Sequence, residues 1–319
     1  MAPGGLVLSL FSASALLGTG SALGQDYPNK PIHIITAPPG ASGDFAARLI
    51  AQGLTASLGR QVIVENRTGF ISIESVAKAP PDGYTLLLLG NTIWVMPLLR
   101  GNASWDPIRD FSPITLAATT PGILVVHASL PVKSVKELIA LAKARPGELN
   151  YGSTATGATN HLAGELFKSM AKVNIVHVPY NGGGPALNGL ITGEVQLMFP
   201  AAGSVTPLVR SGRLKALAVA SAQPSALVPG LPTVASAGLP GFEMMTMTTI
   251  FAPAKTPVAI INRLNQEIVR VVNKPDVKAR FFDSGSEVVG SSPEQLGAAM
   301  QADMSRLTEV AKTAGIHAK

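Results

Sequence analysis

The stretch Ile32–Arg48 constrains the fold more than any other. A β-branched apolar run, Ile32-His33-Ile34-Ile35-Thr36, breaks at Pro38-Pro39-Gly40, and Asp44 then opens an amphipathic helix. Strand, tight loop and helix start form the repeating unit of α/β folds. The first N–H groups of such a helix lack internal partners and sit at the positive end of the helix dipole. A carboxylate or phosphate can therefore bind there without a basic side chain. The same residues also read as a plain connection with Asp44 as N-cap. The spacing fits neither the G-x-G-x-x-G dinucleotide fingerprint nor the P-loop, which argues against nucleotides.

The pattern continues downstream. Strands are expected at Ile32–Thr36, Val62–Glu65, Thr85–Leu89, Ile114–Ala118, Ile123–His127, Asn150–Gly152, Ile175–Val178, Val195–Phe199, Ala216–Ala220, Thr248–Ala252 and Glu287–Val289. Helical patterns between them predict parallel α/β sheets. Ser134 with Glu137 reads as a capping box, and Ser292-Pro293-Glu294-Gln295, a cap with proline in the first helical position, opens a last helix running to about Lys312. Thr256 is expected to cap a helix with Pro257 in its first position. Pro113–His127 and Gly238–Ala252 read as crossings between two lobes, a joint able to close over a ligand.

Length and composition narrow the classes. A chain of 319 residues has room for two domains, and 46% hydrophobic with 14% charged residues is globular. The net charge is +6, but basic residues are scattered and aromatics are only 5%, so no nucleic-acid surface is indicated. A mild attraction for small acids remains. The chain has no cysteine, which removes disulfides, thiolate catalysis and cysteine-zinc sites. Leu6–Leu23 is apolar and uncharged, with Ala22-Leu23-Gly24 before Gln25, so residues 1–24 read as a secretory signal peptide. Met1–Gly5 carries no Lys or Arg, unlike the usual start of such a peptide. No later stretch holds ~18 consecutive uncharged apolar residues, so the mature chain is expected to be soluble.

Two further loops carry polar chemistry. Tyr151-Gly152-Ser153-Thr154-Ala155-Thr156-Gly157-Ala158-Thr159-Asn160-His161 places hydroxyls and glycines between a strand and a helix. Neutral donors suit a ligand that must be released again, and the bland alternative is a turn with a threonine N-cap. His177-Val178-Pro179-Tyr180-Asn181-Gly182-Gly183-Gly184-Pro185 leads a strand into a second helix start, where glycine lets the backbone approach a guest. The bland alternative there is a flexible connection. His161 and Glu165 stand one helical turn apart without a third ligand, which favours a structural histidine over a metal site. No G-x-S-x-G elbow, H-E-x-x-H or paired carboxylates supply an enzyme. No catalytic residue, metal site or cofactor is expected.

Tyr27-Pro28-Asn29-Lys30-Pro31-Ile32 with its Pro-Pro-Gly loop resembles the start of the solute receptors of tripartite tricarboxylate transporters, the Bug-type periplasmic proteins. The likeness continues through Pro81-Asp82-Gly83-Tyr84-Thr85-Leu86, Leu149-Asn150-Tyr151-Gly152-Ser153, His161-Leu162-Ala163-Gly164-Glu165, Val176-His177-Val178-Pro179-Tyr180, Gly193–Phe199, Leu231-Pro232-Thr233-Val234 and Phe251-Ala252-Pro253-Ala254. It covers nearly the whole mature chain.

The resemblance implies an α/β, two-lobed periplasmic-binding-protein fold of type II-like architecture. Each lobe would be a mostly parallel sheet flanked by helices, and two crossover strands would join them. Lobe one would hold residues 25–126 plus 246–319, and lobe two residues 127–245. The implied role is periplasmic capture of a small organic carboxylate by a monomer, for delivery to permease subunits. The alternatives are a client sensor kinase or an exported hydrolase on the same scaffold.

Carried residue by residue, the implied ligand site is Pro39, Gly40, Ala41, Ser42, Asp44, Asn91, Thr92, Ser153, Thr156, Thr159, Tyr180, Gly182, Gly183 and Pro200. Departures gather there. Ala41 replaces a second glycine, Phe70 and Ile71 follow Gly69 directly, Pro200-Ala201 stand where an Asp-Asn pair is usual, and Met247 and Thr249 replace a Trp and a Gly. Phe70, Met247 and Pro200 would make the pocket more apolar, favouring an aromatic or aliphatic acid over a free amino acid.

Overall fold

A computed structural model gives the architecture and describes residues 27–39, 41–67, 70–100, 103–154 and 157–314. The expected signal peptide, residues 1–24, lies outside the described residues. Two sheets flanked by helices form two lobes.

The first sheet has the order β2-β1-β3-β10-β4-β11. Its strands are β1 (Ile32–Thr36), β2 (Val62–Asn66), β3 (Thr85–Leu89), β4 (Phe111–Pro121), β10 (Met245–Pro253) and β11 (Glu287–Val288). Helices α1 (Ser42–Leu58), α2 (Ile71–Ala77) and α3 (Thr92–Arg100) follow the first three strands in turn. The second sheet has the order β7-β6-β8-β5-β9. It holds β5 (Ile123–His127), β6 (Asn150–Ser153), β7 (Val176–Pro179), β8 (Leu197–Met198) and β9 (Leu214–Val219). Its helices are α4 (Val135–Ala144), α5 (Thr159–Ala171), α6 (Gly183–Thr192) and α7 (Ala202–Arg210). The chain ends with α8 (Val258–Val272), α9 (Pro275–Asp283) and α10 (Pro293–Ala314).

Most strands of each sheet run one way, with antiparallel members where the chain crosses. β1 runs parallel to β2 and β3, and β6 runs parallel to β7 and β8. The strands next to the crossings run the other way: β10 is antiparallel to β3 and β4, and β5 to β8 and β9. Parallel neighbours need a helical crossover, whereas strands shuttling between lobes arrive from the opposite end.

Only Gly122 separates β4 from β5, so the change of sheet stands ahead of the boundary expected at Val126. The return crossing lies beside it. Ala220 donates its N–H to Gly122 O at 2.8 Å, Met244 donates to Ala220 O at 2.8 Å, and Met245 pairs with Pro121. The joint is thus a hydrogen-bonded pair of strands.

The core explains the arrangement. α8 buries Ile260, Ile261, Leu264, Ile268, Val271 and Val272 along one stripe. Gly53 of α1 lets that stripe come close, since a Cβ there would stand 2.3 Å from a Val271 methyl carbon. One apolar cluster runs through both lobes. It joins Leu87, Trp94 and Phe251 to Val126, Leu162 and Phe167 by way of Leu296, Met300 and Leu307 of α10. Full burial of each such side chain contributes roughly 1.5–3 kcal/mol. Phe70 and Met247 belong to this packing: Phe70 tilts against Trp105 at 5.4 Å between ring centres, and Met247 is buried in the cluster.

Helix starts differ from expectation in detail. Asp44 is the third residue of α1, whose N-cap is Ala41. α8 begins at Val258 after Pro257, because the Thr256 hydroxyl turns back to Pro253 O at 2.8 Å. Ser134 does cap α4, accepting from Glu137 N at 3.2 Å. Ser292 caps α10, accepting from Gln295 N at 3.2 Å while the Gln295 amide oxygen accepts from Ser292 N at 2.9 Å. No helix among the described residues is long and apolar enough to cross a membrane.

Candidate functional site

A cavity of about 640 Å³ lies against the joint. Its floor is the crossing itself. Thr120 and Gly122, and likewise Met244 and Thr246, are spaced two apart, so an extended chain turns each pair to one side. Thr92, the first residue of α3, adds a hydroxyl from the first lobe.

The second lobe supplies the remaining wall, largely from helix starts. Ala158, Thr159, Asn160 and Ala163 come from the beginning of α5. Gly183, Gly184 and Leu187 come from α6, and Ala201 and Ser204 from α7. The N-caps of these helices are Ala158, Gly182 and Ala201, and none makes a side-chain cap hydrogen bond. The starts of three helices therefore meet at one space with no side-chain cap, and at α7 the Ser204 N–H turns back to Ala201 O at 3.1 Å. Gly182 has φ 103°, a conformation only glycine adopts readily.

Seven lining side chains are neutral and polar: Thr92, Thr120, Thr154, Thr159, Asn160, Ser204 and Thr246. Leu187, Met198, Phe199, Pro200 and Met244 form the apolar part. Among the described residues, none that lines the cavity is ionisable. Helix dipoles and backbone donors thus set the local potential, and they favour a negative guest.

Of the expected site residues, Thr92, Thr159, Gly183 and Pro200 line this cavity. Gly40 and Thr156 lie outside the described residues, as does the side chain of Ser42. Pro39, Ala41, Asp44, Asn91, Ser153, Tyr180 and Gly182 do not line it. The Asp44 carboxylate is occupied by Asn66 Nδ2 at 2.8 Å and Arg48 at 2.9 Å, which ties β2 to α1. Asn91 faces the back of the joint, where its amide donates to Met245 O at 3.1 Å. Ser153 is fully buried with its hydroxyl 2.7 Å from His177 Nε2. The Tyr180 ring fills the space over Gly189, where a Cβ would stand 2.3 Å from its hydroxyl oxygen. Burial, then nearby Glu194, pushes that phenol up to about 12. The first lobe reaches the cavity through α3 and the joint, and none of the described parts of the Pro38–Asp44 loop lines it.

Sequence reasoning missed Thr120, Leu187, Ser204, Met244 and Thr246, while Thr154 and Asn160 lie in the Tyr151–His161 stretch it singled out. A signal existed for some of them. Thr159 with Ala163, and Gly183 with Leu187, repeat an i, i+4 spacing that shares one helix face.

His161, also singled out, is buried behind the wall, and desolvation holds its pKa down to about 4. Its ring centre lies 4.1 Å from that of His177. Glu165 accepts from the Tyr151 hydroxyl at 2.5 Å and pairs with Lys168 at 3.4 Å. No group of three metal-ligating side chains occurs among the described residues.

Known proteins share this architecture. The tripartite tricarboxylate transporter family receptor profile matches residues 46–316. The UPF0065 protein in the tcbD-tcbE intergenic region of Pseudomonas sp. (strain P51) is 36% identical over 285 residues, covering 88% of this chain and 85% of its own. The structure of R. palustris Rpa4515 with adipate is 37% identical with a TM-score of 0.77, covering 91% of this chain and 99% of that one. MatC (Rpa3494) from Rhodopseudomonas palustris with bound malate is 30% identical with a TM-score of 0.73, covering 89% and 99%.

Proposed function

The chain belongs to the tripartite tricarboxylate transporter receptor family, and from that premise we propose that its cavity captures an organic acid with an apolar body for delivery to permease subunits. One observation carries this reading: three helix starts without side-chain caps meet in a cavity whose lining, among the described residues, holds no ionisable side chain. Backbone donors and hydroxyls hold a carboxylate without an ion pair, so the guest can leave again. Receptors of this family are periplasmic solute-binding proteins, and a receptor releases its ligand unchanged.

The lining supports a choice among acids. A free amino acid brings an ammonium group, which no carboxylate in the wall would meet. A tricarboxylate brings charges that no cation would meet. Leu187, Met198, Phe199 and Met244 instead offer apolar surface to a methylene chain or an aromatic ring. The volume lies within the roughly 300–1,000 Å³ usual for small-molecule sites. The two neighbours solved with adipate and malate are consistent with a carboxylate guest.

A thermal-shift screen tests this reading, with adipate, malate, benzoate, citrate, aspartate and glutamate as probes. Ligand at a hundred times its Kd stabilises by about 2.7 kcal/mol, which a melting curve resolves. Adipate or benzoate should raise the melting temperature while aspartate and glutamate leave it unchanged. Stabilisation by the amino acids alone would overturn the choice of ligand, and no shift with any acid would overturn the receptor reading.

A further inference from the structure

Building on the receptor reading, we propose that His161 is a positioning residue: its Nδ1 tethers the turn between β6 and α5 so that Thr154, Ala158, Thr159 and Asn160 meet the guest in one arrangement. Gly157 donates its backbone N–H to His161 Nδ1 at 3.1 Å. A second tether lies alongside, where Asn160 Oδ1 accepts from Thr154 N at 3.3 Å and from the Thr154 hydroxyl at 3.2 Å. Both bonds run from the first turn of α5 back to the turn before it. Thr154, Ala158, Thr159 and Asn160 line the cavity, while His161 is only 3% exposed and touches no guest.

The surroundings keep Nδ1 able to accept. The ring is sandwiched among Tyr151 of β6, His177 of β7 and its own helix. His177 is engaged by Ser153, and Glu165 by Tyr151 and Lys168, so the nearest carboxylate is already partnered. Burial and the neighbouring His177 both disfavour the charged ring. Gly164 sets the spacing, because a Cβ there would stand 2.2 Å from the Tyr151 ring. A neutral ring carries its proton on Nε2 and leaves Nδ1 free for Gly157. Protonation would place a hydrogen on Nδ1 and end that bond.

The test compares wild type with His161→Asn, whose amide oxygen stands near the position of Nδ1, and His161→Leu, which keeps bulk without an acceptor. Two readouts are taken on the full chain: amide hydrogen exchange at Gly157 without ligand, and adipate affinity by calorimetry. Gly157 should exchange at least roughly tenfold faster in His161→Leu than in wild type or His161→Asn. Adipate affinity should fall by a comparable factor in His161→Leu alone. In wild type, the Gly157 amide shift should follow the His161 ring through its acid titration, a measurement that needs no variant. Unchanged Gly157 exchange in His161→Leu, or equal adipate affinities in all three proteins, overturns the proposal. A wild-type protein that takes up no acid sinks the receptor reading instead, and Gly157 exchange still decides the tether.

Discussion

Helices α4 and α10 begin with a serine turned onto their own backbone, whereas α5, α6 and α7 begin with alanine or glycine. The first pair stands away from the cavity and the second set surrounds it. A serine cap contributes about 1 kcal/mol to stability by filling an orphan donor. The cavity helices forgo that contribution, as do α1 and α2. α8 and α9, also remote, start at proline, which either precedes or opens the helix and has no N–H to satisfy. An open start is not by itself a binding site, since α1 and α2 also begin without a side-chain cap; what sets α5, α6 and α7 apart is that their starts meet at one cavity.

The sharpest way to break the comparison is to seal an open helix. Ala201→Asp places a capping carboxylate at the start of α7, on an exposed residue that lines the cavity. Acid affinity should fall at least about a hundredfold, or 2.7 kcal/mol, while the melting temperature without ligand holds or rises. Undiminished affinity, measured by calorimetry, would show that the α7 donors do not hold the guest.

A second test uses acid, because the start of α5 is tethered by a histidine, whereas that of α4 is held by a serine and a carboxylate. The folded pKa of His161 lies at about 4, below its usual 6.5, so the unfolded chain binds the proton first as pH falls. That stability is complete above 6.5 and is lost between 6.5 and about 4, by up to about 1.4 kcal/mol per pH unit. His177, also lowered by burial, adds in the same direction. Denaturant unfolding at roughly pH 7, 5.5 and 4.5 should show a shallower decline in His161→Asn than in wild type.

The smallest effect is the reverse control. Ser134→Ala in α4 should cost about 1 kcal/mol of stability and leave acid affinity unchanged. A change in affinity would mean that remote caps also shape the cavity.

Much of the fold was legible because its signals are local. Ile32–Thr36, Thr85–Leu89 and Ile123–His127 fall where β-branched and leucine runs predicted them, and Ser134 and Ser292 cap where their spacing predicted. Edges depended on partners outside the local window. β4 extends to Phe111–Pro121 because β10 pairs along it, and β8 shrinks to Leu197–Met198 as the chain runs on to Pro200. The site was harder to read. The Pro38–Asp44 loop reads locally as an anion cradle, whereas the tie from Asn66 at the end of β2 to the Asp44 carboxylate in α1 lies outside any local window. Thr120 and Thr246 look like ordinary strand residues until the two crossings come together. Thr159, Gly183 and Pro200 were legible because each stands at or just before a helix start.

The strands that join the lobes are also the ground on which a guest rests. Thr120 and Thr246 sit opposite each other in the pairing of β4 with β10, and both line the cavity. Under the function proposed above, an acid held in the cavity lies on the same two strands that any change of angle between the lobes has to twist, so cargo and joint share one stretch of backbone.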